Sequence, residues 1–402
     1  MANTIDALKP TYWSKRYQMN LRARNISRVI TSNKEEASLV NGKTVDRPYL
    51  SRAVVSDLTI NTATYTAAAM SATSETLTVN KWKASAINIT KDQMKQVLRA
   101  PSVINEFIDD GAWRLNQYID RSVLGEYSNA SYETTATAYS KTTIYDGLGE
   151  AHRTLRAAGV EQSKPWYAVL DADATQLIQN SQGARETMLG DKLQKMGFGF
   201  NREYAGFRVY ESAQALTWTG SINIAANPTD TDTVVIDGVT FTFLDTVGSA
   251  AGNIHIGSAA DDSVDNLVEL INAPDTTSAN CIALSAANQL KFLDASSIAL
   301  IAAVDGATTI ALTSIKGRIT LAETFTAAGD NVSDMILHCP CGQMGNIDTV
   351  FQSDLETTVK GVSGALSTDY VTDVLWGVKT FQEGADRMVD FQIVTSADTA
   401  TA

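Results

Sequence analysis

Only three cysteines, Cys281, Cys339 and Cys341, occur in 402 residues. Three thiols cannot build a disulfide framework, and they suit a reducing compartment. Histidine is equally scarce, with His152, His255 and His338 alone, so no second Cys/His cluster exists to complete a metal centre. Long apolar runs are missing too. The most apolar stretch, IALIAAV at 298–304, is far shorter than the roughly 20 residues of a membrane-crossing helix, and no membrane partner is expected. The opening residues, MANTIDALKPTYWSKRYQMN, contain no apolar core of a secretory signal, so none is expected. There is no Walker loop and no G-x-S-x-G, and no Ser/His/Asp or Cys/His set stands out. Positive charge is nearly absent from the second half. Residues 1–210 carry 26 Lys/Arg against 21 Asp/Glu, whereas residues 211–402 carry 6 against 24. The total of −13 argues against nucleic-acid binding over the whole surface, and the asymmetry points to two faces with different surroundings.

What is present is enough for a sizeable core. The hydrophobic content of 44% is ordinary for a globular chain, and the length suggests two or three domains. Residues 1–52 read as an arm in which Lys15, Arg16, Arg22, Arg24 and Arg28 are interleaved with Tyr12, Trp13 and Tyr17. Residues 53–90 read as two long strands, VVSDLTIN and TLTVNKWKASAINI, around a Thr/Ala/Ser-rich tip. Thr78, Asn80 and Trp82 share one side of the second strand, and Val79, Lys81 and Lys83 the other. Neither side is cleanly apolar, which predicts a hairpin lying on a partner. Over 102–128 the spacing of Ile104, Ile108, Ala112, Leu115, Ile119 and Val123 predicts one long helix, with Ser102 as its N-cap.

Residues 142–216 have α/β texture: a helix ending at Gly159, a strand running into a helix at WYAVLDADATQLIQN, then a loop and a strand at FGFNREYAGFRVYES. Residues 218–326 change character, with 3 Lys/Arg against 12 Asp/Glu. DTVVIDGVTFTF (232–243) predicts a hairpin turning on Asp237–Gly238. A helix follows, with Val264, Leu267, Val268 and Ile271 on one face and Ser258 and Asp261 at capping-box spacing. CIALSA, LKFLDA, SIALIAAVDG and TTIALTS read as short strands. About 100 residues of this kind can fold alone, so an inserted domain is expected. The stretch DVLWGVKTFQEGADRMVDFQIV reads as two strands around a Glu383–Gly384 turn.

Two motifs imitate catalytic or metal chemistry. YAVLDADAT places Asp171-x-Asp173-x-Thr175 after an apolar strand, like the first motif of haloacid-dehalogenase-type phosphotransferases, which use magnesium. The partner motifs do not follow: GDKLQK at 190–195 lacks the second carboxylate, and Asp261–Asp262 lies in the inserted stretch. A strand-to-helix turn capped by Asp171 or Asp173 accounts for the same residues. HCPCG (His338, Cys339, Cys341, Gly342) supplies at most three cramped ligands, and a bend at Pro340 and Gly342 is expected instead. Neither an enzyme nor a cofactor is expected.

The order of parts, with RPYLSRAVVSDLT (47–59), LTVNKWKASAINI (77–89), AGFRVYES (205–212) and VLWGVKTFQEGADRMVDFQI, resembles the major capsid proteins of tailed bacteriophages, of the short-tailed-phage coat-protein type. The resemblance covers the chain outside 218–326. It implies an α+β, HK97-like capsid fold: an N-terminal arm (1–52), an extended loop (53–90), a spine helix and peripheral domain (91–141), an axial domain (142–217 and 327–370), and final peripheral strands with a tail (371–402). Residues 218–326 form the insertion. It further implies self-assembly into pentamers and hexamers of an icosahedral shell enclosing double-stranded DNA. Portal and decoration proteins would be its partners, with assembly in a host bacterial cytoplasm. Because the arm begins close to Met1, a separate scaffolding protein is expected. Lys81, Trp82, Lys83, Trp13, Arg16, Arg22 and Arg24 are the expected inter-subunit residues. The alternative readings are a tail or adhesion protein, or a magnesium-dependent phosphotransferase.

Overall fold

A computed structural model describes residues 25–35, 42–51, 53, 55, 69–96, 100–140, 142–161, 164–180, 202–212, 215–294, 298–327, 329–361 and 366–395. The expected sites Trp13, Arg16, Arg22 and Arg24, with the rest of residues 1–24, lie outside them, as does most of VVSDLTIN.

The described chain opens with a one-turn helix, α1 (Ser27–Ile30), and a ribbon of two antiparallel strands, β1 (Thr44–Leu50) and β2 (Ala72–Thr78). The hairpin therefore uses residues 44–50 as its first arm, upstream of the stretch expected from the sequence. The second expected strand is two strands. After β2 the chain breaks at Val79–Asn80 and begins β3 (Lys81–Thr90) in another sheet. The break has a packing cause. Leu77 and Val79 are both buried, with Val350 and Phe381, in a small satellite core. The Thr78 carbonyl presses on Gly377, where an added Cβ would sit 2.6 Å from that oxygen.

A short helix α2 (Lys91–Gln96) leads to α3 (Ala100–Leu124), about 37 Å of helix at 1.5 Å per residue, followed by a 3-10 turn at Gly125–Asn129. Because α3 begins at Ala100, Ser102 lies inside it and is not its N-cap. Of the expected stripe, Ile104, Leu115, Ile119 and Val123 are buried, and Ile108 and Ala112 are half-buried. The helix lies on a three-stranded antiparallel sheet ordered β18 (Asp348–Gly361), β19 (Ser367–Lys379), β3. Gly111 makes the approach close: a Cβ there would meet Ser85 Oγ at 2.6 Å.

The large sheet begins with β4 (Tyr132–Glu133) and β5 (Thr137–Ala138), beside helix α4 (Ile144–Ala157). Gly159 ends α4 with φ +81°, a left-handed position that favours glycine. Next come β6 (Trp166–Leu170), buried on both faces, then α5 (Ala172–Asn180) and the hairpin β7 (Arg202–Tyr204) and β8 (Phe207–Glu211). The loop expected before the last strand thus contains a strand of its own, turning at Ala205–Gly206 with positive φ at both. β9 (Thr217–Asn223) follows.

The acidic stretch contributes β10 (Thr233–Ile236), β11 (Val239–Leu244), β12 (Asn253–His255), α6 (Ala260–Asn272), α7 (Ala286–Phe292), β13 (Ile301–Val304), β14 (Thr309–Ser314) and β15 (Leu321–Glu323). Strands β12, β11, β10 and β15 form their own four-stranded sheet. The hairpin is as expected: Asp237 and Gly238 have φ +51° and +70°, and Val234, Ile236, Val239, Phe241 and Phe243 are buried. The cap on α6 is displaced by one residue. Asp262, not Asp261, accepts the Ala259 N–H at 3.2 Å and also the Ser258 hydroxyl. The first half of LKFLDA is the end of α7 and Leu293 makes an isolated bridge to Ala299, while CIALSA makes an isolated bridge from Cys281 to Ile254. The last strands of the stretch run into the large sheet: β14 pairs along β9, and β13 pairs with β14. The open edge of β13 is plugged by the Asn272 amide, which takes the Ala303 N–H at 3.0 Å and donates to its carbonyl at 2.8 Å.

β16 (Asn331–Val332) and β17 (Met335–Gln343) return the chain to the large sheet. One edge of β17 pairs with β20 (Met388–Thr395), and the other with β9 and then β6. The predicted turn at Glu383–Gly384 is a short helix, α8 (Gln382–Ala385). The strands it joins belong to different sheets, β19 to the three-stranded one and β20 to the large one. HCPCG is not a bend. Its residues lie in β17, paired in register with Met388–Gln392 of β20.

Candidate functional site

The β1–β2 ribbon is the most unusual feature of the surface. Both strands are exposed over most of their length. At its far end Leu50 stands in solvent, Val55 is 92% exposed and Met70 is 81% exposed. Toward its base the ribbon is covered, with Leu77 buried and Val45 packed against the satellite core, so the large apolar side chains left open are those beyond it.

Its base is fastened to the body. Arg47 donates to Glu35 Oε1 at 2.6 Å and Asp348 Oδ2 at 3.1 Å, and its guanidinium lies 4.2 Å from the Phe381 ring centroid. Burial pulls the Arg47 pKa down, but the Glu35 hydrogen bond and the Asp348 and Glu35 charges outweigh it, and the net shift is upward. Burial raises the Asp348 carboxyl, against the pull of Arg47. The Gln382 N–H donates to Glu75 Oε2 at 2.8 Å from the other side. The ribbon is thus tied to the body at Arg47 and Glu75, while Leu50, Val55 and Met70 beyond these ties are exposed.

Strand β3 carries the three expected contact residues that are described. Trp82 is 71% exposed on the open face of the three-stranded sheet, its indole N–H donating to Asp373 Oδ2 at 2.9 Å. Lys81 and Lys83 alternate to the other face, the one covered by α3. Burial lowers the Lys81 pKa, with Glu126 opposing, and Lys83 Nζ lies 5.6 Å from the Tyr118 ring centroid. Only Trp82 of the three is turned to the open side.

The arm is pinned where it meets α3. Asp120, 3% exposed, accepts the Ile26 N–H and the Ser27 N–H at 3.0 Å each, one per carboxylate oxygen. Burial raises its pKa, and the hydrogen bonds from Ser27 and Ile26 and the Arg28 charge hold it down. Arg28 pairs with Asp354 and lies 4.7 Å from the Phe351 ring centroid. Replacing Asp120 by alanine should strand two buried amides. The expected cost is about 1–3 kcal/mol for each unsatisfied buried donor, checked by denaturant melts and by faster exchange of the Ile26 and Ser27 amides.

The phosphotransferase look-alike is a helix cap. Asp171 Oδ1 accepts the Ala174 N–H at 2.8 Å, and Oδ2 accepts the Tyr139 hydroxyl at 3.3 Å. One oxygen caps the turn into α5, and the other holds Tyr139 beside β5. In HCPCG, strand alternation sends His338 to one face of β17 and Cys339 and Cys341 to the other, so the three cannot share an ion. Both thiols are fully buried, which pushes their pKa values up. No group of three or more His, Cys, Asp or Glu among the described residues is placed to hold a metal.

The structure also assembles a set that sequence reasoning missed. His338 Nδ1 lies 2.6 Å from Asp390 Oδ2, and its Nε2 lies 2.8 Å from Thr219 Oγ1. The order resembles a hydrolase triad, but its surroundings are structural. Thr219 sits within a strand paired on both sides, so its backbone amides belong to ladders and leave no oxyanion pocket. The Tyr127 ring stacks on His338 at 4.2 Å. The set ties β9, β17, β20 and the 3-10 turn after α3 together. Thr219, His338 and Asp390 are far apart in the chain, and no spacing rule could have joined them.

No protein-family model and no curated protein sequence matches the chain. Solved structures do resemble it. A chain of Mycobacterium phage Che8 is 12% identical with a TM-score of 0.56, covering 97% of this chain and 98% of that one. The capsid structure of the cyanophage P-SCSP1u is 10% identical at 0.52, covering 99% and 96%. The asymmetric unit of the bacteriophage PhiM1 mature capsid is 10% identical at 0.52, covering 96% and 91%. No described helix is long and apolar enough to cross a membrane. The likeness runs nearly end to end in both partners of each comparison, so this chain has the fold found in these phage capsid structures.

Proposed function

We propose that this chain is the major capsid protein of a tailed phage, an HK97-like subunit that assembles into pentamers and hexamers of an icosahedral shell around double-stranded DNA. The observation that carries the reading is the end-to-end likeness of fold to phage capsid chains. The exposed Leu50, Val55 and Met70 agree with it, since a neighbouring subunit would cover what these residues leave open. The role is structural rather than enzymatic: Asp171, the one catalytic look-alike of the sequence, is spent on a helix cap. The ribbon and the loop beyond it are the extended loop, laid on an adjacent subunit. The basic arm faces neighbours or the genome. Portal, decoration and separate scaffolding proteins complete the particle, which is assembled in a bacterial cytoplasm. Electron microscopy of the purified protein tests the reading: shells support it, and fibres or tail-like assemblies favour a tail or adhesion protein.

The acidic stretch is an insertion facing outward. With 3 Lys/Arg against 12 Asp/Glu it would repel packaged DNA at short range, although salt screens charge beyond about 10 Å. We place its entry between β9 and β16. Asn223 of β9 and Asn331 of β16 are directly paired, so residues 224–330 leave and rejoin at the two sides of what would otherwise be a hairpin end. A deletion of 224–330 closed by an Asn-Gly turn should retain the β9–β16–β17 ladder and still make shells, less stable because the β14 edge is lost. An insoluble product, or a particle map placing α6 against DNA, would overturn this placement.

A further inference from the structure

Four Asp–Gly pairs occur in the chain, at 110–111, 146–147, 237–238 and 305–306. Asp–Gly is the sequence most open to one spontaneous reaction, because glycine has no side chain to shield its nitrogen. The glycine nitrogen attacks the aspartate Cγ and loses its proton, and the carboxyl OH departs with that proton as water. Solvent water then opens the five-membered imide at either carbonyl. Opening at the main-chain carbonyl leaves isoaspartate, with one extra atom in the main chain and no net change in mass.

The fold treats the four pairs differently. Asp110 and Asp146 lie within α3 and α4, and Gly111 and Gly147 are buried. The Gly147 N–H is held by the Thr143 carbonyl at 2.9 Å. Asp237 has the left-handed conformation of its turn, which points the Gly238 nitrogen away from the Asp237 Cβ. It is also clamped there. Its N–H donates to the Thr320 carbonyl at 2.8 Å, its carbonyl accepts Lys291 Nζ at 3.0 Å, and its carboxylate pairs with Lys316. These are the two lysines of residues 218–326, and both are used on this one turn.

Asp305–Gly306, in the turn from β13 to β14, has none of these restraints. Asp305, Gly306 and Ala307 are all exposed. Among the described residues the Gly306 N–H has no hydrogen-bond partner, and no cation pairs with Asp305. Asp305 Oδ1 accepts the Ala307 N–H at 3.1 Å. That bond folds the carboxyl group back over the intervening residue, toward the nitrogen that would attack it. The turn itself is tight: a Cβ at Gly306 would lie 2.6 Å from the Thr309 carbonyl oxygen. An extra main-chain atom here would part Val304 from Ala311, the pair of the β13–β14 ladder nearest the turn.

We propose that Asp305–Gly306 is a spontaneous modification site, converted to isoaspartate in the folded chain, and that Lys291 and Lys316 protect Asp237–Gly238 from the same reaction. The product loosens the β13–β14 end of the large sheet and leaves the Asp237 hairpin intact.

The test is to age the full chain in warm neutral buffer, folded and in guanidinium, and to map isoaspartate peptide by peptide. Chromatography separates the isomers, and an isoaspartyl methyltransferase labels them. In the folded chain isoaspartate should accumulate at Asp305 about tenfold or more faster than at Asp237, because opening the Asp237 turn breaks a hydrogen bond from a charged group. In guanidinium the four pairs should react alike, since each aspartate precedes glycine. Replacing both clamps, Lys291→Met with Lys316→Met, should raise the Asp237 rate toward that of Asp305 and leave Asp305 unchanged. Asp305→Ser removes the reacting carboxyl and keeps a hydroxyl for the Ala307 N–H. Ageing should therefore speed hydrogen exchange in β13 and β14 of the wild type and not of this variant. Equal rates at Asp305 and Asp237 in the folded chain, or a ranking that persists in guanidinium, would overturn the proposal. So would an unchanged Asp237 rate in the double variant, or equal loosening of aged Asp305→Ser. None of these readouts needs shells to form, so failure here and failure of the capsid reading are separable.

Discussion

A subunit with Leu50→Ser, Val55→Ser and Met70→Ser together should fold as the wild type does and fail to form shells. These side chains are largely in solvent, so removing them costs the isolated chain little; surface changes of this kind stay within about 0.5 kcal/mol each. In an assembled lattice the same three would be covered, and each buried large apolar side chain contributes about 1.5–3 kcal/mol. Every subunit would lose that contribution, and shell formation multiplies the loss over all copies. Circular-dichroism melts should superimpose on the wild type, while sedimentation and electron microscopy should show unassembled protein. Normal shells from the triple variant would mean that the ribbon tip is not an assembly surface. Trp82→Ser, on the open face of the three-stranded sheet, should act in the same direction, whereas charge reversal at Lys81 and Lys83 would disturb the subunit itself, because both face α3.

The second large effect concerns folding. Gly384→Ala should destabilise the chain by about 3 kcal/mol or more, at or beyond the upper range of overpacking. A Cβ at Gly384 would lie 1.9 Å from the Asn346 carbonyl oxygen and 3.0 Å from its carbon, and neither atom can rotate away. The surrounding joint is equally tight: a Cβ at Gly342 would meet the Arg387 carbonyl oxygen at 2.5 Å. This is where α8 passes the chain from the three-stranded sheet into β20, so a displaced α8 misplaces both. Denaturant unfolding measures the loss. Gly149→Ala is the control, since it lies within α4 with nothing inside 4 Å, and should be neutral or slightly stabilising. Equal stability of the two variants would contradict the argument.

Local chemistry was legible in the chain wherever a short stretch decides its own conformation. Asp237–Gly238 announced a hairpin because few residue pairs tolerate two positive φ angles, and both have them. The stripe from Ile104 to Val123 announced α3, because an apolar face with a 3.6-residue period has one good burial geometry. Asp171 could be read as a cap because the turn into α5 needs an acceptor at that position. Partners, sheet membership and breaks were not legible, because they depend on what arrives from elsewhere. Residues 77–89 have the composition of a single strand, and the burial of Leu77 and Val79 against Val350 and Phe381 accompanies their division between two sheets. HCPCG looks like a bend, yet pairing with β20 keeps it straight. The contacts that fasten the ribbon and tie the large sheet, Arg47 with Asp348 and His338 with Asp390, span 301 and 52 residues. A side chain's charge and shape are written in its own position, but the group that neutralises or covers it is supplied only when the chain folds back; tertiary structure therefore decided which of the described surfaces were closed, and which, like Leu50, Val55 and Met70, were left exposed.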